Sequence, residues 1–390
     1  MLPRTLAHLP LPSADARAVS AALEAQLRTE IDKAGGWLSF ARYMELALYC
    51  PGLGYYSAGS IKLGEAGDFV TAPELSPLFA RTLARQVSQS IGADVPDVLE
   101  LGAGSGALAA GLLEALAELD RVPERYLILE VSAELRARQK ARLGAIAPHL
   151  RERVQWLDAL PDSLSATVLA NEVLDAVPTH IVRTRGGEID EMGVVTGAGQ
   201  SGFEANYRPA TGELLRTAGA LGLPEDDYET EVNLAAPALV KSLAGMLDRG
   251  LVLIIDYGFP VHEYYHPQRA RGTLMCHYRH HAHHDPFVLV GLQDITAHVD
   301  FTAIATAGLD AGLEVIGYTT QAQFLVNLGI TDLLSETPAE EVRAYAPLAA
   351  QAQKLLSPSE MGELFKVLAL GRGMPEPLTG FVRGDRTHTL

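Results

Sequence analysis

The stretch Val98-Leu99-Glu100-Leu101-Gly102-Ala103-Gly104-Ser105-Gly106 constrains this chain most. Val98, Leu99 and Leu101 form a short apolar run of the kind that fills a buried parallel strand. Gly102, Gly104 and Gly106 let the backbone turn sharply and bring main-chain N–H groups close to a ligand. The Ala/Leu-rich run at 107–119 is strongly helical by propensity. A strand, a glycine turn and a helix N-terminus together predict a nucleotide site, and both dinucleotides and S-adenosylmethionine use such a site.

The rest of the chain predicts an α/β protein around that strand. Ser13 and Ser39 are expected to cap helices at 14–33 and 40–49, and Pro51 stops the second. Turn-rich, aromatic segments follow at 51–57 and 64–74, ordered loops that could close over the mouth of the strand. A helix is expected at 75–91. Further buried strands are expected at 126–130, 154–156, 166–170, 250–258, 313–319 and 365–370. Helices are expected at 133–145, 232–247, 301–309, 321–328 and 339–355. Residues 180–207 alternate apolar and polar side chains between glycines, the mark of an antiparallel insertion. The expected organisation is a helical and loop region at 1–92 forming part of the active-site cover and a core at 93–370. The core carries insertions at about 178–230 and 259–300. The Pro/Gly-rich tail at 371–390 is expected to be mobile.

Two details favour S-adenosylmethionine over NAD. Glu100 lies two residues before the first glycine, where it could steer an ammonium group. Glu130, the acid closing the next strand, lies well beyond the offset of about 20 residues typical of the dinucleotide fingerprint. An acid there would hold the ribose hydroxyls. The strand sequence also fits a seven-stranded methyltransferase sheet.

Charge and composition narrow the partners. The net charge of −17 disfavours nucleic acid, whose phosphates need a basic footprint, and leaves an Arg- or Lys-bearing peptide open. Two cysteines, Cys50 and Cys276, cannot build a disulfide framework and suit a reducing, cytoplasmic compartment. A short organelle transit peptide stays open, although the N-terminus is poor in Arg. No apolar run approaches the length of a membrane span. The histidines His277, His280, His281, His283 and His284 fit no zinc spacing, so no metal is expected. A homodimer is left open.

The polar groups after the fourth strand suggest the acceptor chemistry. Asn171, Glu172 and Asp175 lie at the carboxyl end of a sheet strand, where ligands of open α/β sheets bind. Glu172 and Asp175 are three apart and would share a face on a helical turn. Carboxylates so placed could hold a planar guanidinium, with Asn171 as a neutral helper. Alternatively they stabilise a helix N-terminus. Asp68, Thr71 and Glu74 could close over the cofactor, and Asp256 and Tyr257 could line the acceptor pocket.

The motifs, taken in order, carry a resemblance. They are Gly67-Asp68-Phe69-Val70-Thr71-Ala72-Pro73-Glu74, Glu100 to Gly106, Glu130-Val131-Ser132 with Gln139, and Asn171-Glu172-Val173-Leu174-Asp175-Ala176-Val177-Pro178. Ile255-Asp256-Tyr257-Gly258, Arg271-Gly272-Thr273-Leu274 and Asp294 to Phe301 complete the set. Over about residues 37 to 370 the chain resembles the MidA-like S-adenosylmethionine (SAM)-dependent methyltransferases, which include the mitochondrial complex I assembly factor that methylates arginine. The resemblance implies a class I methyltransferase fold, Rossmann-like with a seven-stranded sheet and an added subdomain. It also implies SAM as cofactor and a protein substrate bearing an arginine, such as a respiratory complex I subunit. A small-molecule methyltransferase and a non-catalytic SAM-binding assembly protein are the competing readings.

Overall fold

The computed structural model describes residues 9–58, 71–197, 202–374 and 377–390. Two compact units emerge. One comprises residues 70–174, 237–260 and 299–390, and the other residues 1–69, 175–236 and 261–298.

The first unit is built on seven main strands, with a short eighth, Val299–Asp300, pairing at Gly258–Phe259. In chain order the seven are β1 (Asp97–Leu101), β2 (Tyr126–Leu129), β3 (Val154–Leu157), β4 (Leu164–Asn171), β5 (Leu247–Phe259), β6 (Glu314–Thr320) and β7 (Phe365–Arg372). They lie side by side as β6-β7-β5-β4-β1-β2-β3. β1 to β5 are mutually parallel, and β7 runs antiparallel to both β5 and β6. Two-sided burial explains the composition of the central strands: Leu251, Val252, Leu253, Ile254 and Ile255 are all buried. From β1 the chain moves outward to β2 and β3, then returns to place β4 on the other side of β1. That reversal opens a crevice at the carboxyl ends of β1 and β4, the usual binding edge of an open α/β sheet.

The helices start where side chains accept the free N–H groups. Ser132 accepts from Leu135 N–H before helix Ala133–Leu143, and Asp300 from Ala303 N–H before helix Phe301–Asp310. The helix expected at 75–91 is two pieces, Ala72–Leu75 and Pro77–Ser90. Ser76 breaks it because its extended backbone and its side chain cap the second piece. Pro77–Ser90 packs closely on helix Ala107–Glu118, where a Cβ on Gly111 would lie 2.9 Å from that of Ala80. Residues 71–92 therefore group with the sheet unit rather than with the N-terminal region.

The tail corrects a second expectation. It is not a loose end, because its apolar side chains are buried. Phe381 packs on Phe324 with ring centroids 5.3 Å apart, and Gly380 N–H donates to Gln86 Oε1 at 2.8 Å. Asp385 and Arg386 then hydrogen-bond Tyr318 N–H and C=O at 2.9 and 2.6 Å, covering the outermost strand β6.

The second unit begins with the helices Ala14–Lys33 and Phe40–Tyr49, capped by Ser13 and Ser39, and also holds the shorter helices Gly212–Ala220 and Val261–Tyr264. Its main sheet contains the strands His180–Arg185, Glu188–Thr196 and Phe203–Pro209, an antiparallel set as the alternation predicts. The expected helix at 232–247 begins only at Ala235. Val232 instead ends a strand, Tyr228–Val232, paired with His180–Arg185, with Tyr228, Thr230 and Val232 on one face and the buried Glu231 on the other. The irregular insertion at 259–300 holds a small sheet of Met275–Tyr278, His281–His283 and Asp294–Thr296. Among the described residues, no helix is long and apolar enough to cross a membrane.

Replacing Phe381 by Ala should cost about 3–4 kcal/mol through the void left against Phe324. A thermal melt that moves by less than 1 °C would show that the tail does not pack as described.

Candidate active site

The glycine loop does what its sequence demands. Gly102, Gly104 and Gly106 have φ values of 57°, 53° and 83°, all in the left-handed region that side-chain-bearing residues avoid. A Cβ on Gly106 would also come within 3.2 Å of Gln139 Cα. The loop turns β1 into helix Ala107–Glu118 with Gly106 at the cap position.

Two buried acids flank the loop. Glu100, 2% exposed, accepts a hydrogen bond from Tyr126 Oη at 2.6 Å. Burial pushes its pKa up to about 7, against the pull of the Tyr126 hydrogen bond, and the nearby Glu130 charge adds to the rise. Glu130, just beyond the end of β2, accepts from Ser132 N–H at 2.8 Å and from Gln139 Nε2 at 2.9 Å. Burial raises its pKa too, and those two hydrogen bonds oppose the rise.

Gln139 connects the site. Its Nε2 also donates to Gly104 C=O at 3.0 Å, and its Oε1 accepts from Trp156 Nε1 at 2.9 Å. One side chain thus joins the glycine loop, the acid after β2 and a residue of β3. Glu74, on the short helix Ala72–Leu75, accepts from Ser105 Oγ and pairs with Arg142 at 3.1 Å. These roles depend on helix geometry and were not legible from spacing. Val131 carries one readable signal, an apolar side chain immediately after the acid, and it is 75% exposed.

The predicted acceptor residues divide. Asn171 ends β4. Glu172 follows with φ 52°, left-handed for a residue with a side chain. Its carboxylate lies 3.4 Å from Ala72 N–H and 3.3 Å from Asn171 Nδ2. Glu172 and Asp175 do not share a helical face, because no helix starts there and Glu172 reverses the backbone. Asp175 belongs to the other unit, where it is buried and its carbonyl accepts from Ala297 N–H at 3.0 Å.

Asp256 is also corrected. It is fully buried and lines no pocket wall, since both its oxygens accept backbone N–H groups. Tyr257 is half-buried, edge-on to Phe365 at 5.3 Å. Thr71 occupies the cap position of Ala72–Leu75 without a capping hydrogen bond. Asp68 lies outside the described residues. Of the histidines, His277, His281 and His283 sit on the small sheet, and burial lowers the pKa of His277 and His283.

A seven-stranded sheet with this order, a left-handed glycine turn after β1 and an acid after β2 define a class I SAM-dependent methyltransferase. Comparison with known proteins agrees. The pattern of a family described as S-adenosyl-L-methionine-dependent methyltransferase matches residues 78–319. A Burkholderia thailandensis protein solved bound to S-adenosyl-homocysteine is 53% identical, with a TM-score of 0.94, covering 98% of this chain and 100% of that one. The Drosophila melanogaster mitochondrial protein arginine methyltransferase NDUFAF7 homolog is 28% identical, over 93% of this chain and 88% of its own. The Danio rerio protein arginine methyltransferase NDUFAF7 is 29% identical, over 86% and 84%. The chain belongs to the MidA-like family of SAM-dependent methyltransferases. SAM is its cofactor.

The raised pKa of Glu100 makes a signed prediction. Between about pH 4.5 and pH 7 the unfolded chain releases a proton that the folded chain keeps, so stability falls as pH rises through that window. Glu100→Gln should flatten this fall in the cofactor-free protein, measured by thermal melts from pH 5 to pH 8. An unchanged slope would show that Glu100 titrates normally.

Proposed function

We propose that this methyltransferase acts on an arginine side chain of a protein, a subunit of respiratory complex I being one candidate acceptor. The observation that carries the reading is Glu172. It is a half-buried carboxylate at the carboxyl end of β4, beside β1 and its glycine loop, with a strained backbone of the kind that collects at functional sites. Two relatives named as protein arginine methyltransferases, 28% and 29% identical, support the acceptor class.

When bound, SAM supplies a methyl group made electrophilic by its sulfonium sulfur. The residues present fit it. The three left-handed glycines leave the loop backbone bare, Glu100 offers a buried anion toward an ammonium, and Glu130 offers a carboxylate toward ribose hydroxyls. Val131 gives an exposed apolar surface suited to the flat face of adenine. Thr71 precedes the short helix Ala72–Leu75, whose Glu74 accepts from Ser105 of the glycine loop.

A free guanidinium stays protonated, with a pKa above about 12. Its planar fork is best oriented by a carboxylate, which also offsets its charge as the nitrogen attacks. Glu172 would hold one edge of the fork and Asn171 Oδ1 could accept from another N–H. Tyr257 would flank the acceptor. Alignment of the nucleophilic nitrogen and exclusion of water then supply most of the rate. The two cysteines, both buried and free, accord with a reducing, cytoplasmic setting.

The test uses SAM labelled in its methyl group and a lysate from cells lacking this chain. Labelled protein whose acid hydrolysate contains methylarginine supports the reading, whereas label confined to other residues or small molecules overturns it. Glu172→Gln should bind SAM as the parent does and lose methyl transfer by about 100-fold or more. Full turnover in that variant would remove Glu172 from the acceptor site.

A further inference from the structure

Asp256 is the least exposed acid near the crevice, and the chemistry described so far leaves it without a role. It sits near the carboxyl end of β5, one residue past Ile255, which pairs with Asn171 across the parallel β4–β5 register. Its Oδ2 accepts from Val173 N–H at 3.2 Å and from Leu174 N–H at 2.9 Å. Its Oδ1 accepts from Tyr257 N–H at 2.9 Å. Its cross-strand partner on β7 is Lys366, itself 3% exposed, whose ammonium donates to the carbonyls of Glu363 and Leu364.

We infer that Asp256 is a positioning residue for methyl transfer: its buried carboxylate clamps the Val173–Leu174 backbone and so fixes the left-handed turn that presents Asn171 and Glu172. The inference rests on the acceptor role given above to those two residues. The physical case is direct. Residues 172–177 belong to no helix or strand, so the N–H groups of Val173 and Leu174 lack regular partners. A buried N–H must still be satisfied, and Asp256 satisfies both. Glu172 N–H donates to Ile255 C=O at 2.9 Å, so the turn is held to β5 at two consecutive residues of that strand. A left-handed glutamate persists only where its surroundings impose the conformation. With that clamp loosened, Glu172 would relax to an ordinary backbone angle and its carboxylate would move away from the crevice. Direct substrate contact by Asp256 is inconsistent with its complete burial.

The variant Asp256→Asn keeps shape and volume but has a single acceptor oxygen. Whichever way the amide turns, its NH2 faces at least one N–H donor of the set. The expected result has three parts, all measured on the full chain. SAM affinity by calorimetry stays within about threefold of the parent, because the glycine loop and its acids are untouched. The rate of label transfer to protein of the chain-deleted lysate, at saturating SAM, falls about tenfold or more and is not restored by raising the lysate concentration. The amides of Val173 and Leu174 exchange with deuterium about tenfold faster, while those of β1 do not change.

A folded variant with parental rate or parental exchange at these two amides overturns the inference. So does a slow rate that more lysate restores, since that would mean direct acceptor binding. Should the variant not fold, exchange in the parent decides: slow exchange of Val173 and Leu174 supports the clamp and free-chain exchange overturns it. The acceptor reading is judged separately by Glu172→Gln, and amide exchange in Asp256→Asn does not depend on that outcome.

Discussion

Three left-handed glycines within five residues, between β1 and helix Ala107–Glu118, are the constraint on which the site depends. They let the backbone fold back on itself at the one place where the sheet reverses direction. β1 sits between β2 and β4, and because these strands are parallel the acid after β2 comes to the same edge as the turn after β4. A side chain at any of the three would force a conformation costing roughly 1–2 kcal/mol and would fill space where a ligand needs bare amide groups. The direction of the helix and the place of the cofactor follow from that turn.

Buried carboxylates recur around this arrangement, and each is kept in place by donors rather than by opposite charge alone. Glu100 has the hydroxyl of Tyr126, and Glu130 has an amide N–H and Gln139. Glu231 in the other unit accepts from the N–H groups of Thr273 and Leu274 at 2.9 Å and from Tyr264 Oη at 3.0 Å. That last group accounts for the Arg271-Gly272-Thr273-Leu274 motif without any chemistry. A Cβ on Gly272 would lie 2.3 Å from a Glu231 oxygen, so only glycine allows the chain to wrap the carboxylate. Tyr56 and Asp294 make a similar pair, with the hydroxyl 3.0 Å from both carboxylate oxygens. Motifs that look catalytic in a sequence are in these two cases internal fastenings.

The sequence revealed the sheet well because buried parallel strands are written as apolar runs: 126–129 and 251–255 are unbroken, and 98–101 is interrupted by Glu100 alone. Helix starts were legible through Ser13, Ser39 and Ser132, whose side chains do the capping. The misses have a common physical origin. The strand Tyr228–Val232 was missed, and Val232 was joined to the helix, because its alternation is short and an Ala-rich helix follows. The tail was read as mobile because Pro, Gly and polar residues hide the contributions of Leu378 and Phe381. Asp256 and Asp175 were assigned to a pocket from their position at strand ends, and position does not reveal burial. Gln139 and Glu74 stood out as members of motifs, but their partners could not be read, since Gly104 and Ser105 lie 35 and 31 residues away.

The packing of the final residues onto β6 also matters beyond local stability. A terminal strand normally offers a row of unused amide groups to any extended peptide, including the same strand of another molecule. Here Asp385 and Arg386 take the N–H and C=O of Tyr318, and Gly384 C=O takes the hydroxyl of Thr319 at 2.7 Å. Sheet-to-sheet polymerisation through β6 would first have to peel the chain's own end away. The closing segment is therefore a guard against self-templating as much as a piece of the core.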